Sequence, residues 1–154
     1  MTTTSRYDRP NRAARLLNGA FRLLAEAGVG IAGTRALRVR GRTSGQMRGV
    51  VVNLLEVDGR RYLVSPRGNT QWARNARAAG VVELGPRWRR RVVAVTELSD
   101  DAKPAILQPY LRRWYWEVKG HVGGLSPTSS ADHLRAVAPS IPVFELAQDP
   151  SRSI

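Results

Sequence analysis

The sequence predicts an α+β domain built on a mostly antiparallel β-barrel of about six strands, with an N-terminal amphipathic helix and two or three further helices. Three observations point there. Short apolar segments with strand-like alternation follow one another closely between residues 35 and 97. Tight-turn signals, Asp58-Gly59 above all, join them as hairpins. Helical periodicity does not recur after nearly every strand, as a three-layer parallel fold requires.

In chain order, residues 1–10 are polar and read as a disordered tail. From Asn11, the apolar Ala13, Leu16, Leu17, Ala20, Leu24 and Ala27 fall at helical spacing, with arginines elsewhere on the wheel, so 11–27 reads as a basic amphipathic helix stopped by Gly28. Arg35 to Arg40 alternates, with Leu37 and Val39 on one face. Gly41, Ser44 and Gly45 then turn the chain into an apolar run, Met47 to Val57, which Asp58-Gly59 pairs back with Arg60 to Ser65 before Pro66. Asn69 or Thr70 caps a short helix through Ala79 that carries Trp72, Ala73 and Ala76 inward, and Gly80 closes it. A second hairpin joins Val81–Leu84 to Trp88–Glu97 through Gly85-Pro86-Arg87. Ser99, Asp100 and Asp101 open a helix whose stripe is Ile106, Leu107, Tyr110, Leu111 and Trp114, with a kink expected at Pro109. A short helix near 132–138 and a last strand, Val143 to Leu146, complete one domain over 11–147, and 148–154 is a tail.

A length of 154 residues suits one core. No apolar run approaches the ~20 residues that cross a bilayer, and the N-terminus has no apolar stretch of the signal-peptide kind. With no Cys there are no disulfides or thiolate metal sites, which fits a cytoplasmic protein, and the two His have no acidic neighbours at ligand spacing, so no metal site is expected. Against 12 acids stand 25 Lys and Arg, nearly all Arg, for a net charge of +13. Such a chain attracts anions, and the guanidinium fork grips phosphate and carboxylate oxygens in pairs.

Two segments concentrate that chemistry. The turn Gly41-Arg42-Thr43-Ser44-Gly45-Gln46-Met47-Arg48 packs two arginines, two hydroxyls and two glycines between strands. Glycine lets backbone N–H groups approach an anion, hydroxyls donate to it, and arginine supplies charge. The same composition also describes a solvated hairpin turn. The second segment, Ser65-Pro66-Arg67-Gly68-Asn69-Thr70-Gln71-Trp72-Ala73-Arg74-Asn75, runs through a glycine loop into a helix N-terminus. Two basic, glycine-bearing elements in one domain favour a shared anionic ligand.

The string Gly41-Arg42-Thr43-Ser44-Gly45 followed by Arg48 resembles the G-R-x-S-G-x-x-R signature of the deazaflavin (F420)-dependent nitroreductase family. Further similarity follows in register over residues 35–98: Asp58-Gly59 with Arg61-Tyr62-Leu63-Val64-Ser65, then Arg67-Gly68, Trp72-Ala73-Arg74-Asn75 and Ala78 to Leu84. The chain departs from the family pattern at Val51-Val52, Pro66, Asn69 and Gly80. The resemblance implies a split β-barrel, often dimeric, that binds F420 non-covalently and passes a hydride to an activated acceptor, whether an enone, a quinone or a nitro compound. It implies that Arg42, Thr43, Ser44, Gln46, Met47 and Arg48, with Arg67, hold the phosphate and oligoglutamate tail. Ser65, Pro66 and Gly68 would border the deazaflavin ring, with Trp72 beside them and Asn75 reaching the linker or phosphate. Tyr110, Trp114 and Tyr115 are candidates for an acceptor pocket, although an aromatic stripe at helical spacing is more often core. No residue stands out as a proton donor.

Three alternatives stand beside this reading. One is a nucleic-acid-binding barrel using Arg38, Arg40 and the 87–91 segment with Trp88, disfavoured because basic and aromatic residues interleave little elsewhere and apolar runs dominate the strands. Another is peripheral contact of helix 11–27 with an anionic membrane, with or without catalysis. The third is a related split barrel holding FMN or haem.

Overall fold

The structure, a computed structural model, describes residues 34–148. The helix expected at 11–27, the first tail and nearly all of the second lie outside the described residues. Six strands close into an antiparallel barrel: β1 (Thr34–Arg40), β2 (Met47–Val57), β3 (Arg60–Val64), β4 (Val81–Leu84), β5 (Arg91–Glu97) and β6 (Val143–Leu146), in the spatial order β1-β2-β3-β6-β5-β4. Among the described residues three α-helices accompany them: α1 (Gln71–Ala79), α2 (Pro104–Val118) and α3 (Ala131–Val137). The expected α+β split barrel is the observed fold.

Alternation along the strands sorts side chains to two sides of the sheet. Cross-strand partners share a face, and Leu37 opposite Val50 and Leu84, with Leu63 opposite Leu54 and Phe144, puts these residues inside the barrel. Helix α1 plugs that interior with Ala73 and Ala76, both almost fully buried. On the outside of β2, β3 and β6, Leu55, Tyr62, Val64 and Val143 pack against the buried stripe of α2 and against Leu134 of α3. The stripe is the one the periodicity predicts, with Ile106, Leu107, Tyr110, Leu111 and Trp114 all buried. Among the described residues, no helix covers Val81 and Val92 on the outer face of β4 and β5, and both stay exposed.

Local signals set most boundaries. Asp58 and Gly59 both take positive φ, 51° and 77°, the mirror-image turn whose twist suits a two-residue hairpin. Thr70 caps α1 by accepting a bond from the Ala73 N–H, and Gly80 ends it by donating to the Ala76 carbonyl. Two boundaries differ from expectation. Strand β5 begins at Arg91 rather than Trp88, because the Arg89 N–H donates to the Pro86 carbonyl at 2.9 Å and extends the connection to residues 85–90. Helix α2 begins at Pro104, since residues 100–102 form a separate 3-10 turn and proline suits the first turn of a helix.

Candidate functional site

The two basic segments meet on α1, which lies against β1 and plugs the barrel. In the first, Gly41 and Arg40 hold the turn shut. The Gly41 N–H donates to the Gln46 carbonyl at 2.8 Å, the Gly45 N–H donates to the Gly41 carbonyl at 2.9 Å, and the Arg40 guanidinium donates to the Gly45 carbonyl at 2.8 Å. The turn is tight there: a Cβ on residue 41 would lie 2.6 Å from Ser44 Oγ and 3.2 Å from the Gln46 carbonyl oxygen, so a larger residue would push the serine side chain aside. Ser44 Oγ in turn accepts from the Gln46 N–H at 3.2 Å. Among the described residues, the N–H groups of Thr43 and Ser44 have no acceptor, so the tip of the turn presents two backbone donors beside two hydroxyls.

Helix α1 fixes this turn from below. Asn75 is buried, and its Oδ1 accepts both the Arg42 N–H at 3.1 Å and the Arg42 guanidinium at 2.8 Å. Gln71, one helical turn earlier, accepts from the same guanidinium at 2.9 Å. Arg42 is therefore folded down onto the helix, while Thr43, Ser44, Gln46 and Arg48 stand exposed and Met47 is half-buried. Arg48 opposes Val39, a fully buried barrel residue, so it leaves β2 on the barrel-facing side at the rim.

The second segment is equally constrained. Ser65 is completely buried; its Oγ lies 2.6 Å from the Gly68 carbonyl, to which it donates, and 2.9 Å from Thr70 Oγ1. The Ser65 N–H donates to the Pro142 carbonyl at 2.9 Å, tying the loop to the chain that enters β6. Pro66 and Arg67 ride half-buried on this loop and Gly68 is buried within it. Trp72 packs its ring 5.9 Å from that of Phe144, centroid to centroid. Arg77 completes the anchoring of α1, bonding Asn69 at 3.1 Å and both carboxylate oxygens of Glu97 on β5. That hydrogen bond to Glu97 pushes the Arg77 pKa up.

Four arginines (42, 48, 67 and 74) and no acidic residue fall within 41–48 and 65–75. Such a surface favours a ligand bearing several negative charges. The structure thus brings together the sequence-derived residues of the two loops and α1. It sets Tyr110 and Trp114 elsewhere, buried in the core outside the barrel, with Tyr115 half-buried beside them. Sequence reasoning named Thr70 as a helix cap but missed its contact with Ser65, and it missed the holding roles of Arg40 and Gln71. A signal existed for one of them, since Gln71 and Asn75 are four apart and so share a helix face.

No family model matches the chain, and no curated protein sequence does. Solved structures match its fold. A protein of unknown function from Agrobacterium tumefaciens is 16% identical with a TM-score of 0.53, over 92% of this chain and 59% of that one. A domain-swapped dimer is 17% identical with a TM-score of 0.51, over 89% of this chain and all of the other. An F420-H2 dependent reductase, FDR-A, is 18% identical with a TM-score of 0.50, over 75% of this chain and 94% of that one. At these identities the likeness is one of fold.

Proposed function

We propose that the protein is an oxidoreductase that binds reduced F420 across the 41–48 turn and the 65–75 segment and reduces an activated small-molecule acceptor. The observation that carries the reading is the joining of two arginine-bearing, acid-free loops by α1 into one donor-rich surface. The donor set suits a phosphate bearing a poly-carboxylate tail: the Thr43 and Ser44 N–H and hydroxyl groups for phosphate oxygens, with Arg48 and Arg67 for carboxylates. The sequence signature at 41–48 and the fold shared with an F420-H2 dependent reductase support the same reading. When bound, the reduced deazaflavin supplies the hydride.

The protein's own residues then bind and orient. Asn75 and Gln71 keep Arg42 down so that the tip of the turn stays open to the ligand. Ser65 holds the loop that would border the ring, and Trp72, on the half-buried face of α1, excludes water from that side. The fold relative that is a domain-swapped dimer supports a homodimer as part of this proposal. The test is a fluorescence titration of the full chain with F420 and, in parallel, with FMN. F420 is expected to bind the more tightly, with affinity falling as salt rises, because its tail adds carboxylates that FMN lacks. Equal or tighter binding of FMN overturns the assignment.

A further inference from the structure

The cofactor reading leaves unused a basic surface at the connection between β4 and β5. Residues 85–90 read Gly-Pro-Arg-Trp-Arg-Arg, and Arg91 follows at the start of β5. The loop has a defined shape. Its first residue is anchored to β1 by a bond from the Gly85 N–H to the Ala36 carbonyl at 3.0 Å, and Arg89 turns back on Pro86. Gly85 has a φ of +111°, and a Cβ there would meet the Arg89 carbonyl oxygen at 2.8 Å, so the chain closes tightly on itself.

On this frame Trp88 is 70% exposed, between the exposed Arg87 and Arg89. Beside the loop Val92, the second residue of β5, is 70% exposed on the outer face of the sheet opposite the half-buried Glu83, and at the far end of β4 Val81 is 44% exposed opposite the exposed Ala94. Trp88 and Val92, both at this loop, leave apolar surface in water that a partner can cover.

We propose that this surface docks the protein onto an anionic phospholipid membrane. Indole rings settle at the headgroup level, valines enter the acyl boundary, and arginines bind lipid phosphates while their stems lie along apolar surface. Charge complementarity selects the anionic lipid, since Arg87 and Arg89 flank the ring in a chain of net charge +13. The exposed Val92 at the start of β5 favours a membrane over a nucleic acid, which would stack on Trp88 but gains nothing from a valine. Among the described residues no helix is long and apolar enough to cross a bilayer, in keeping with attachment at the surface. This inference stands apart from the cofactor reading and uses none of its residues.

Flotation of the full chain with vesicles tests it. Wild type is expected to float with equimolar phosphatidylcholine and phosphatidylglycerol and to stay behind with phosphatidylcholine alone. Arg87→Gln and Arg89→Gln should each weaken partition about fivefold, and the pair about twenty-fivefold, taking the usual contribution of one basic residue near a charged surface. Trp88→Ala should weaken it too, whereas Trp116→Ala, the other highly exposed tryptophan, should not. Melting curves on the same proteins should match wild type, because the glutamine variants change only exposed side chains. Failure of wild type to float, or flotation of the Arg87/Arg89 pair like wild type, overturns the proposal. So does the finding that wild type ignores vesicles but retains a single-stranded DNA, with Trp88→Ala abolishing that retention.

Discussion

Replacing Asn75 by alanine removes one buried oxygen on which the geometry of the candidate site depends. Asn75 Oδ1 accepts two bonds, from the Arg42 backbone N–H and the Arg42 guanidinium. The backbone bond should contribute ~1 kcal/mol. A charged donor can contribute ~1.5–3 kcal/mol, but Arg42 is exposed and recovers water, so its bond belongs at or below the low end. Alanine returns ~0.5 kcal/mol in helix propensity. The net loss is about 1–2 kcal/mol, which for a domain of this size lowers Tm by roughly 2–8 °C. The second consequence is for binding. Once freed from α1, the turn must be ordered by the ligand, and fixing even one residue costs ~1–2 kcal/mol, so F420 affinity should fall about tenfold. Calorimetry gives the first number and fluorescence titration the second. An Asn75→Ala protein that melts and binds F420 like wild type refutes the view that α1 organises the turn. Lowered Tm with unchanged affinity would confine Asn75 to stability.

Two further outcomes follow from buried groups. Ser65→Ala removes a hydroxyl from the completely buried contact with the Gly68 carbonyl and Thr70 Oγ1, each of which keeps one other partner, so urea denaturation should report a loss of about 0.5–1.5 kcal/mol. The Tyr110 phenol sits on α2 against Asn53, and its pKa is raised above the ordinary 10.0, first by burial, with the hydrogen bond from Asn53 opposing and Glu117 adding to the rise. Tyr62 is raised in the same direction, mainly by burial. Because the folded pKa is the higher, the stabilisation is whole below pH ~10 and is lost as pH climbs from there toward the folded value, where the unfolded chain ionises first. Tm measured against pH should therefore fall on the alkaline side, and less steeply in Tyr110→Phe; identical alkaline slopes for the two proteins would contradict this assignment.

The barrel was legible in the sequence because its signals are local. Asp58-Gly59 specifies a turn type, Thr70 and Gly80 delimit a helix, and the alternation of Leu37 and Val39 states which face is buried. Where competing local choices existed, the reading slipped. Trp88 to Arg90 resemble strand, yet the tight return at Gly85 and the Arg89–Pro86 bond draw them into the loop. Asp100 and Asp101 resemble a helix start, yet the α-helix begins at Pro104. In the site, the composition of the two loops was visible but their union was not. It rests on contacts such as Arg42 with Asn75, 33 residues apart, which no local pattern encodes.

The central claim is that Arg48 and Arg67 grip one anionic ligand together, and a double-mutant cycle on F420 binding tests it most directly. Arg48→Ala and Arg67→Ala should each weaken binding about tenfold to a hundredfold, with ~1.4 kcal/mol for every factor of ten. If one tail engages both, the losses should be non-additive when the two are combined. Arg89→Ala, on the unrelated β4–β5 loop, should bind F420 like wild type. Normal F420 binding by both single variants, or losses no greater than that of Arg89→Ala, would contradict the account.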